Sequence, residues 1–320
     1  MARYDSVLDL IGNTPLVSLA PLTASDPSTA GVALWAKLEG QNPGGSVKDR
    51  IAKRMIEAAE ADGVLAPGAT VLEPSSGNTG IGLAIVCRLR GYPLRIVLPQ
   101  NVSPERRQLL EAFGVDIVDS PGDEGSNGAI RLAEELAAKA EADGEPVVLL
   151  HQYRNAANPA AHYETTGPEI LADCPEIDAF VAGLGTSGTL MGVGRYLKEH
   201  KPGVRVIAVE PPAGEQIQAL RSLDDGYVPP IFDPDLLDRK SIVRPLESIE
   251  WTRRLAEDCG IFAGLSSGAA VAGAMRVATE MGTGTVVTLL PDAGWKYLST
   301  GAWTEDLDVV VERAQRIIYF

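Results

Sequence analysis

Short runs of β-branched and other apolar residues alternate along the chain with longer segments whose apolar positions recur every three to four residues. The short runs, at residues 32–38, 70–73, 94–98, 116–118, 146–150, 179–182, 204–209 and 285–290, have the length and near-continuous hydrophobicity of strands buried on both faces. The longer segments, at residues 48–61, 80–89, 105–113, 128–141, 190–200, 251–259 and 268–280, predict helices between them. A strand that returns parallel to its predecessor needs a crossover, so this alternation predicts an α/β fold of mostly parallel sheets flanked by helices.

At 320 residues the chain has room for about two domains of roughly 150 residues each. The clearest internal boundary lies where the acidic helix end Ala142-Asp143-Gly144 gives way to a strand and a polar loop over residues 152–159. No composition-biased linker marks that boundary, which favours two lobes sharing a cleft over two separate beads. The counts of 28 basic and 43 acidic residues give a net charge of −15, spread over the chain, which argues against general nucleic-acid binding. Cys87, Cys174 and Cys259 are far apart and form no ligand cluster, and His151, His162 and His200 lack metal-ligand spacing, so neither a disulfide framework nor a metal site is expected. No apolar run reaches the roughly 20 residues of a membrane span or the form of a signal peptide, and a cytoplasmic location is the expectation.

Three loops carry candidate chemistry. Gly183-Leu184-Gly185-Thr186-Ser187-Gly188 follows a strand, opens a helix and matches G-x-G-x-x-G, with Glu210 ending the next strand about 20 residues on. Taken alone, it fits a nicotinamide dehydrogenase. Its physical content is narrower: glycines that turn backbone N–H groups toward an anion at a helix N-terminus, with Thr186, Ser187 and Thr189 adding hydroxyls. A second strand-to-helix loop, Ser75-Ser76-Gly77-Asn78-Thr79-Gly80, has the donors to suit a carboxylate. In Asn42-Pro43-Gly44-Gly45-Ser46-Val47-Lys48-Asp49-Arg50, Ser46 and Asp49 have capping-box spacing, with Ser46 as N-cap and Asp49 at N3. Lys48 then stands in the first turn, where the helix dipole opposes a cation and favours the neutral amine that attacks an aldehyde.

These segments, with Gly264-Leu265-Ser266-Ser267-Gly268-Ala269, Tyr297-Leu298-Ser299-Thr300 and the opening Ile11-Gly12-Asn13-Thr14-Pro15-Leu16-Val17, resemble the signature segments of cysteine synthases, fold-type II enzymes that use pyridoxal 5′-phosphate (PLP). The matches run in the expected order from about residue 6 to residue 300. The resemblance implies a two-lobed, tryptophan synthase β-like fold. Residues 40–146 would form a smaller mobile lobe, and residues 1–39 with 147–320 a larger lobe that binds the cofactor phosphate. It implies that Lys48 forms the Schiff base and moves the Cα proton, and that Asn78 hydrogen-bonds the ring 3′-oxygen. Gly185, Thr186, Ser187, Gly188 and Thr189 would hold the phosphate. Ser266, rather than Ser267, would face the pyridine nitrogen, and Ser75, Ser76, Thr79 and Gln152 would grip the substrate carboxylate. The implied reaction is a ping-pong β-replacement on an activated serine, in a homodimer.

The segment from Ile217 to Pro229 aligns with a substrate-lining stretch that is mostly small or apolar in O-acetylserine enzymes, yet here it contains Arg221. A guanidinium suits a phosphate ester through paired hydrogen bonds, whereas an acetyl ester offers no charge. With Asp292-Ala293-Gly294-Trp295-Lys296-Tyr297, this makes the chain similar to the O-phosphoserine-dependent branch. The bland alternative for Arg221 is a surface ion pair with Asp224 or Asp225. In that branch the sulfur donor can be a small carrier protein ending in a thiocarboxylate, and the C-terminal tail can cover the cleft. The apolar end Ile317-Ile318-Tyr319-Phe320 suits docking or plain structure equally. Alternatives left open are an O-acetylserine sulfhydrylase or other PLP β-replacement enzyme, and a non-catalytic PLP-fold protein.

Overall fold

The computed structural model describes residues 3–75 and 77–316. Its strands are β1 (Leu16–Ser18), β2 (Val32–Leu38), β3 (Thr70–Pro74), β4 (Leu94–Pro99), β5 (Asp116–Ser120), β6 (Val147–Leu149), β7 (Ala179–Gly183), β8 (Arg205–Glu210), β9 (Arg239–Ile242) and β10 (Gly284–Leu290). They form two sheets, one ordered β1-β2-β10-β7-β8-β9 and one ordered β5-β4-β3-β6. Every neighbouring pair is parallel except β1 with β2. Between the strands lie α1 (Ala20–Ala24), α2 (Lys48–Ala61), α3 (Asn78–Arg90), α4 (Pro104–Ala112), α5 (Gly125–Asp143), α6 (Ala157–Ala161), α7 (Gly167–Asp173), α8 (Gly188–His200), α9 (Pro245–Cys259), α10 (Leu265–Met281) and α11 (Leu307–Arg316). The expected α/β fold is the one observed.

The burial pattern explains which elements the hydrophobic pattern revealed. Central β10, Gly-Thr-Val-Val-Thr-Leu-Leu, is buried from Thr285 to Leu290 and sits between β2 and β7. Helix α10 is buried from Leu265 to Met275 and is rich in alanine and glycine. A Cβ on its Gly273 would meet Val209 at 2.5 Å, so the missing side chain lets the helix lie against β8. Edge strands β1 and β9 escaped prediction because they are short; β1 is half-buried at Leu16 and Val17, and Arg239, Lys240 and Ile242 of β9 are exposed. β6 pairs with β3, so the four-stranded sheet includes Val147–Leu149.

Candidate active site

One cavity gathers the loops that follow the parallel strands of both sheets. Its walls come from the β3–α3 loop, the β7–α8 loop, the residues after β6 and β10, and the N-terminal turns of α2 and α10. Ligands of open parallel sheets bind at such strand ends, where helix N-termini converge with unused backbone N–H groups. Every site residue expected from the sequence lines this cavity except Ser76, which lies outside the described residues.

Lys48 is the first residue of α2, but the expected capping box is not formed. Ser46 Oγ accepts from the Lys48 N–H at 3.2 Å, while the Asp49 carboxylate reaches back past Ser46 to accept the Gly44 N–H. Gly45 at φ 74° turns the chain so that Gly44 meets Asp49, and this close approach displaces the reciprocal bond of the box. Burial pulls the Lys48 amine down from the usual lysine range to about 8, with the nearby Asp292 carboxylate resisting the shift. The cause is therefore desolvation, where the sequence reading relied on the helix dipole.

On the carboxylate-type loop, Ser75 Oγ accepts the N–H groups of Gly77 and Gly80 at 3.2 and 3.1 Å, which leaves its own proton to donate. Thr79 donates its hydroxyl to Gln152 Oε1 at 2.7 Å, and Gln152 Nε2 donates to the Pro74 carbonyl at 3.2 Å. The Gln152 amide also hydrogen-bonds the Glu73 carboxylate, which holds the side chain in place beside the cavity. The Gln152 backbone is fixed by Glu73, which the sequence reading missed. Its two oxygens accept the N–H groups of His151 and Gln152 at 2.7 and 3.1 Å, holding His151 at φ 57°. Burial lifts the Glu73 carboxyl to about 8 against those bonds, yet both oxygens are placed as acceptors, the arrangement that the ionised form satisfies.

In the β7–α8 loop, glycine is required by close approach: a Cβ on Gly185 would stand 2.6 Å from the Ala219 carbonyl oxygen, and one on Gly188 only 1.8 Å from Asn158 Oδ1. Thr186 Oγ1 accepts from Asn158 Nδ2 at 3.0 Å, and Thr189 Oγ1 lies 3.2 Å from His162 Nε2. Ser187, at φ 72°, is buried, and its hydroxyl has no partner among the described residues. Across the cavity, the Ser266 and Ser267 hydroxyls also lack partners among the described residues, and of the two Ser266 reaches the cavity wall. Buried polar atoms left unpaired cost free energy unless a ligand satisfies them. A bound phosphate beside Ser187 and a ring nitrogen beside Ser266 would supply such partners, and Lys48 offers an amine to an aldehyde, so the donor set fits PLP.

Arg221 is 7% exposed and lines the same cavity. Its guanidinium packs over the rings of Tyr227 and Tyr153 at 4.7 and 5.4 Å, with long contacts to Asn127 Oδ1 at 3.3 Å and the Tyr227 carbonyl at 3.4 Å. Neither Asp224 nor Asp225 lies within ion-pair distance of it among the described residues, although Asp225 borders a neighbouring cavity that Arg221 also lines, so the surface ion pair considered from the sequence is not formed. A second buried guanidinium, Arg106, also lines the cavity, lying over the Tyr297 ring at 4.9 Å. The sequence carried a signal for it: Arg106 occupies the apolar stripe of α4, one turn from Leu110, where a charge has no solvent to face.

The comparisons with known proteins agree with this geometry. Residues 7–292 match the family model described as "Pyridoxal-phosphate dependent enzyme". A protein named cysteine synthase from Staphylococcus aureus (strain Mu50) is 45% identical over 314 residues, covering 94% of this chain and 98% of its own. The crystal structure of an O-ureido-L-serine synthase is 40% identical with a TM-score of 0.86, covering 94% of this chain and 96% of its own. That of O-acetyl serine sulfhydrylase isoform 3 from Entamoeba histolytica is 35% identical with a TM-score of 0.86, covering 98% and 96%. The chain therefore belongs to the pyridoxal-phosphate dependent enzyme family.

Proposed function

We propose that the protein is a cysteine synthase that replaces the phosphate of O-phospho-L-serine with sulfur. When bound, PLP supplies the electron sink that makes the substrate Cα–H acidic. In this reading Lys48 would hold the cofactor and its amine, once free, would move the substrate Cα proton. Asn78 donates to the ring oxygen, Ser266 faces the pyridine nitrogen, and Gly185, Thr186, Ser187, Gly188 and Thr189 hold the cofactor phosphate. Ser75, Ser76 and Gln152 hold the substrate carboxylate, with Thr79 acting through Gln152. Closure of the smaller lobe over the cleft excludes water. The sulfur donor is sulfide or a small carrier protein with a C-terminal thiocarboxylate, and the enzyme works as a homodimer. The tail segment 317–320, expected either to dock or to be structural, lies outside the described residues.

The observation that carries the choice of O-phosphoserine is the Arg221 guanidinium, buried on the cavity wall with no carboxylate partner among the described residues. A dianionic phosphate ester supplies that partner, and an acetyl ester does not. The second reading, O-acetylserine, is favoured by the kinship to an O-acetyl serine sulfhydrylase. Absorption changes of the cofactor-loaded protein on adding each serine ester separate the two. The expected result is a much faster change with O-phosphoserine. Arg221→Ala should slow that change about 10- to 100-fold, as loss of a charge-assisted hydrogen bond implies, and spare the response to O-acetylserine. An unaltered rate with O-phosphoserine would transfer the assignment to O-acetylserine.

A further inference from the structure

Asn78 is held from both sides by charged groups that reach it from the segment after β10. Lys296 Nζ donates to Asn78 Oδ1 at 2.8 Å, and Asn78 Nδ2 donates to Asp292 Oδ2 at 2.7 Å. An ammonium can only donate and a carboxylate can only accept, so the amide cannot reverse without placing its NH2 against Lys296 and its carbonyl against Asp292. Lys296 is fully buried, does not line the cavity, and spends a second donor on the Gly44 carbonyl at 2.7 Å. Tyr297 donates its hydroxyl to the same Asp292 oxygen, which anchors the carboxylate in turn. Once these bonds are counted, Asn78 keeps one N–H for the cavity that it lines.

We infer that Lys296, together with Asp292, is a positioning residue that locks the Asn78 amide with an N–H, never its carbonyl, toward the ring oxygen of the cofactor. The inference rests on the proposed reading that Asn78 faces that ring oxygen. The ammonium also polarises the amide it touches, so the N–H offered to an electron-rich oxygen is a stronger donor than an unassisted asparagine supplies. Replacing Lys296 with an apolar side chain removes the cation from the carbonyl side and leaves Asp292 alone to hold the amide, so the N–H is aimed less firmly at the ring oxygen and is a weaker donor.

The test is a mutant cycle read by the PLP dissociation constant of the apoprotein and by the absorption maximum of the loaded protein. Lys296→Met should weaken PLP binding by about tenfold or more and move the absorption band. Lys296→Arg, which keeps a cationic donor, should restore the band. In an Asn78→Ala background, Lys296→Met should change neither quantity further. An effect of Lys296→Met that persists there overturns the inference, because Lys296 would then act through Gly44 or the fold. Lys296→Met within twofold of the parent, with the band unmoved, while Asn78→Ala perturbs both, overturns it and spares the reading of Asn78. An Asn78→Ala protein indistinguishable from the parent defeats that reading and this inference together. Should Lys296→Met fail to fold, Lys296→Gln against Lys296→Arg carries the same comparison of charge lost with charge kept.

Discussion

Arg50, behind the first turn of α2, spends its guanidinium on two carboxylates. Nε and Nη2 donate to Glu39 at 2.7 and 2.8 Å, Nη1 and Nη2 each reach Glu169 at 2.7 Å, and Thr165 and Thr14 take further bonds. Glu39 also accepts from Thr14 and Asn42, while Glu169 takes buried Lys37 at 2.9 Å. Burial alone would lift the Glu169 carboxyl, but Arg50 and Lys37 hold it at about 2. Lys48, two residues earlier on the same turn, faces a cavity whose walls carry unpaired polar atoms at Ser187, Ser266 and Asp292. Both regions are buried and polar. The first is closed on itself, and the second is complete only with a ligand, so buried polarity marks a binding site when its hydrogen bonds are left open.

The largest contrast should come from breaking each region at its cation. Lys48→Ala should lower turnover by about a thousandfold or more, as expected for a residue that bonds the cofactor, with little change in melting temperature. Arg50→Met should do the reverse to stability, leaving Glu39 buried without its cation and Glu169 with Lys37 alone, at a cost of about 3–5 kcal/mol. Steady-state kinetics paired with thermal denaturation checks both. A Lys48→Ala protein that retains turnover, or an Arg50→Met protein of parental stability, would remove the contrast.

The next effect is one of pH. Only the neutral Lys48 amine captures an aldehyde, and burial sets its proton loss at about 8, below the usual lysine range. The rate at which apoprotein takes up PLP should therefore rise about tenfold per unit below pH 8 and level off above it. Lys296 is also pulled to about 8 by burial, so the profile should be repeated in Lys296→Arg, whose side chain stays charged. A rate still climbing steeply at pH 10 would mean that the amine is solvated as an ordinary lysine is.

How much of this the chain disclosed follows the same division. The buried strands and long helices were legible because burial imposes apolar runs, and the short exposed β9, Arg239–Ile242, was not because nothing imposes one there. The glycine loops and Lys48 were legible because close backbone approach and first-turn placement restrict residue type locally. Glu73 and Arg106 were not singled out, and Asp292 and Lys296 stood only within a segment of resemblance with no role, since each matters through a partner distant in sequence: Glu73 meets residues 151–152, and Lys296 meets Gly44 and Asn78. Arg221 was found, yet its aromatic setting between Tyr153 and Tyr227 was not, for the same reason.

A smaller effect should follow from disturbing the support of the carboxylate loop. Thr79→Val keeps the shape of the side chain but removes the donor to Gln152 Oε1. Gln152 then loses the bond that orients its amide, and one buried hydrogen bond of about 1 kcal/mol implies a rise in substrate KM of roughly fivefold, with PLP affinity retained. A KM unchanged in Thr79→Val would show that Pro74 and Glu73 suffice to orient the amide.

The smallest effect is the sharpest test of what open hydrogen bonds mean. Ser266 and Ser267 are neighbours in the first turn of α10, both fully buried and both with unpartnered hydroxyls, but only Ser266 borders the cavity. If an unpaired buried group marks a site only where a ligand can reach it, the two serines should part company on truncation. Ser266→Ala should weaken PLP binding. Ser267→Ala should leave PLP binding unchanged and alter stability by no more than about 1 kcal/mol, in the stabilising direction, because it removes a buried hydroxyl that has no partner to lose. Equilibrium PLP titration and denaturant unfolding of both proteins measure this. Loss of cofactor affinity in Ser267→Ala equal to that in Ser266→Ala would mean that reach into the cavity is not what separates the two hydroxyls.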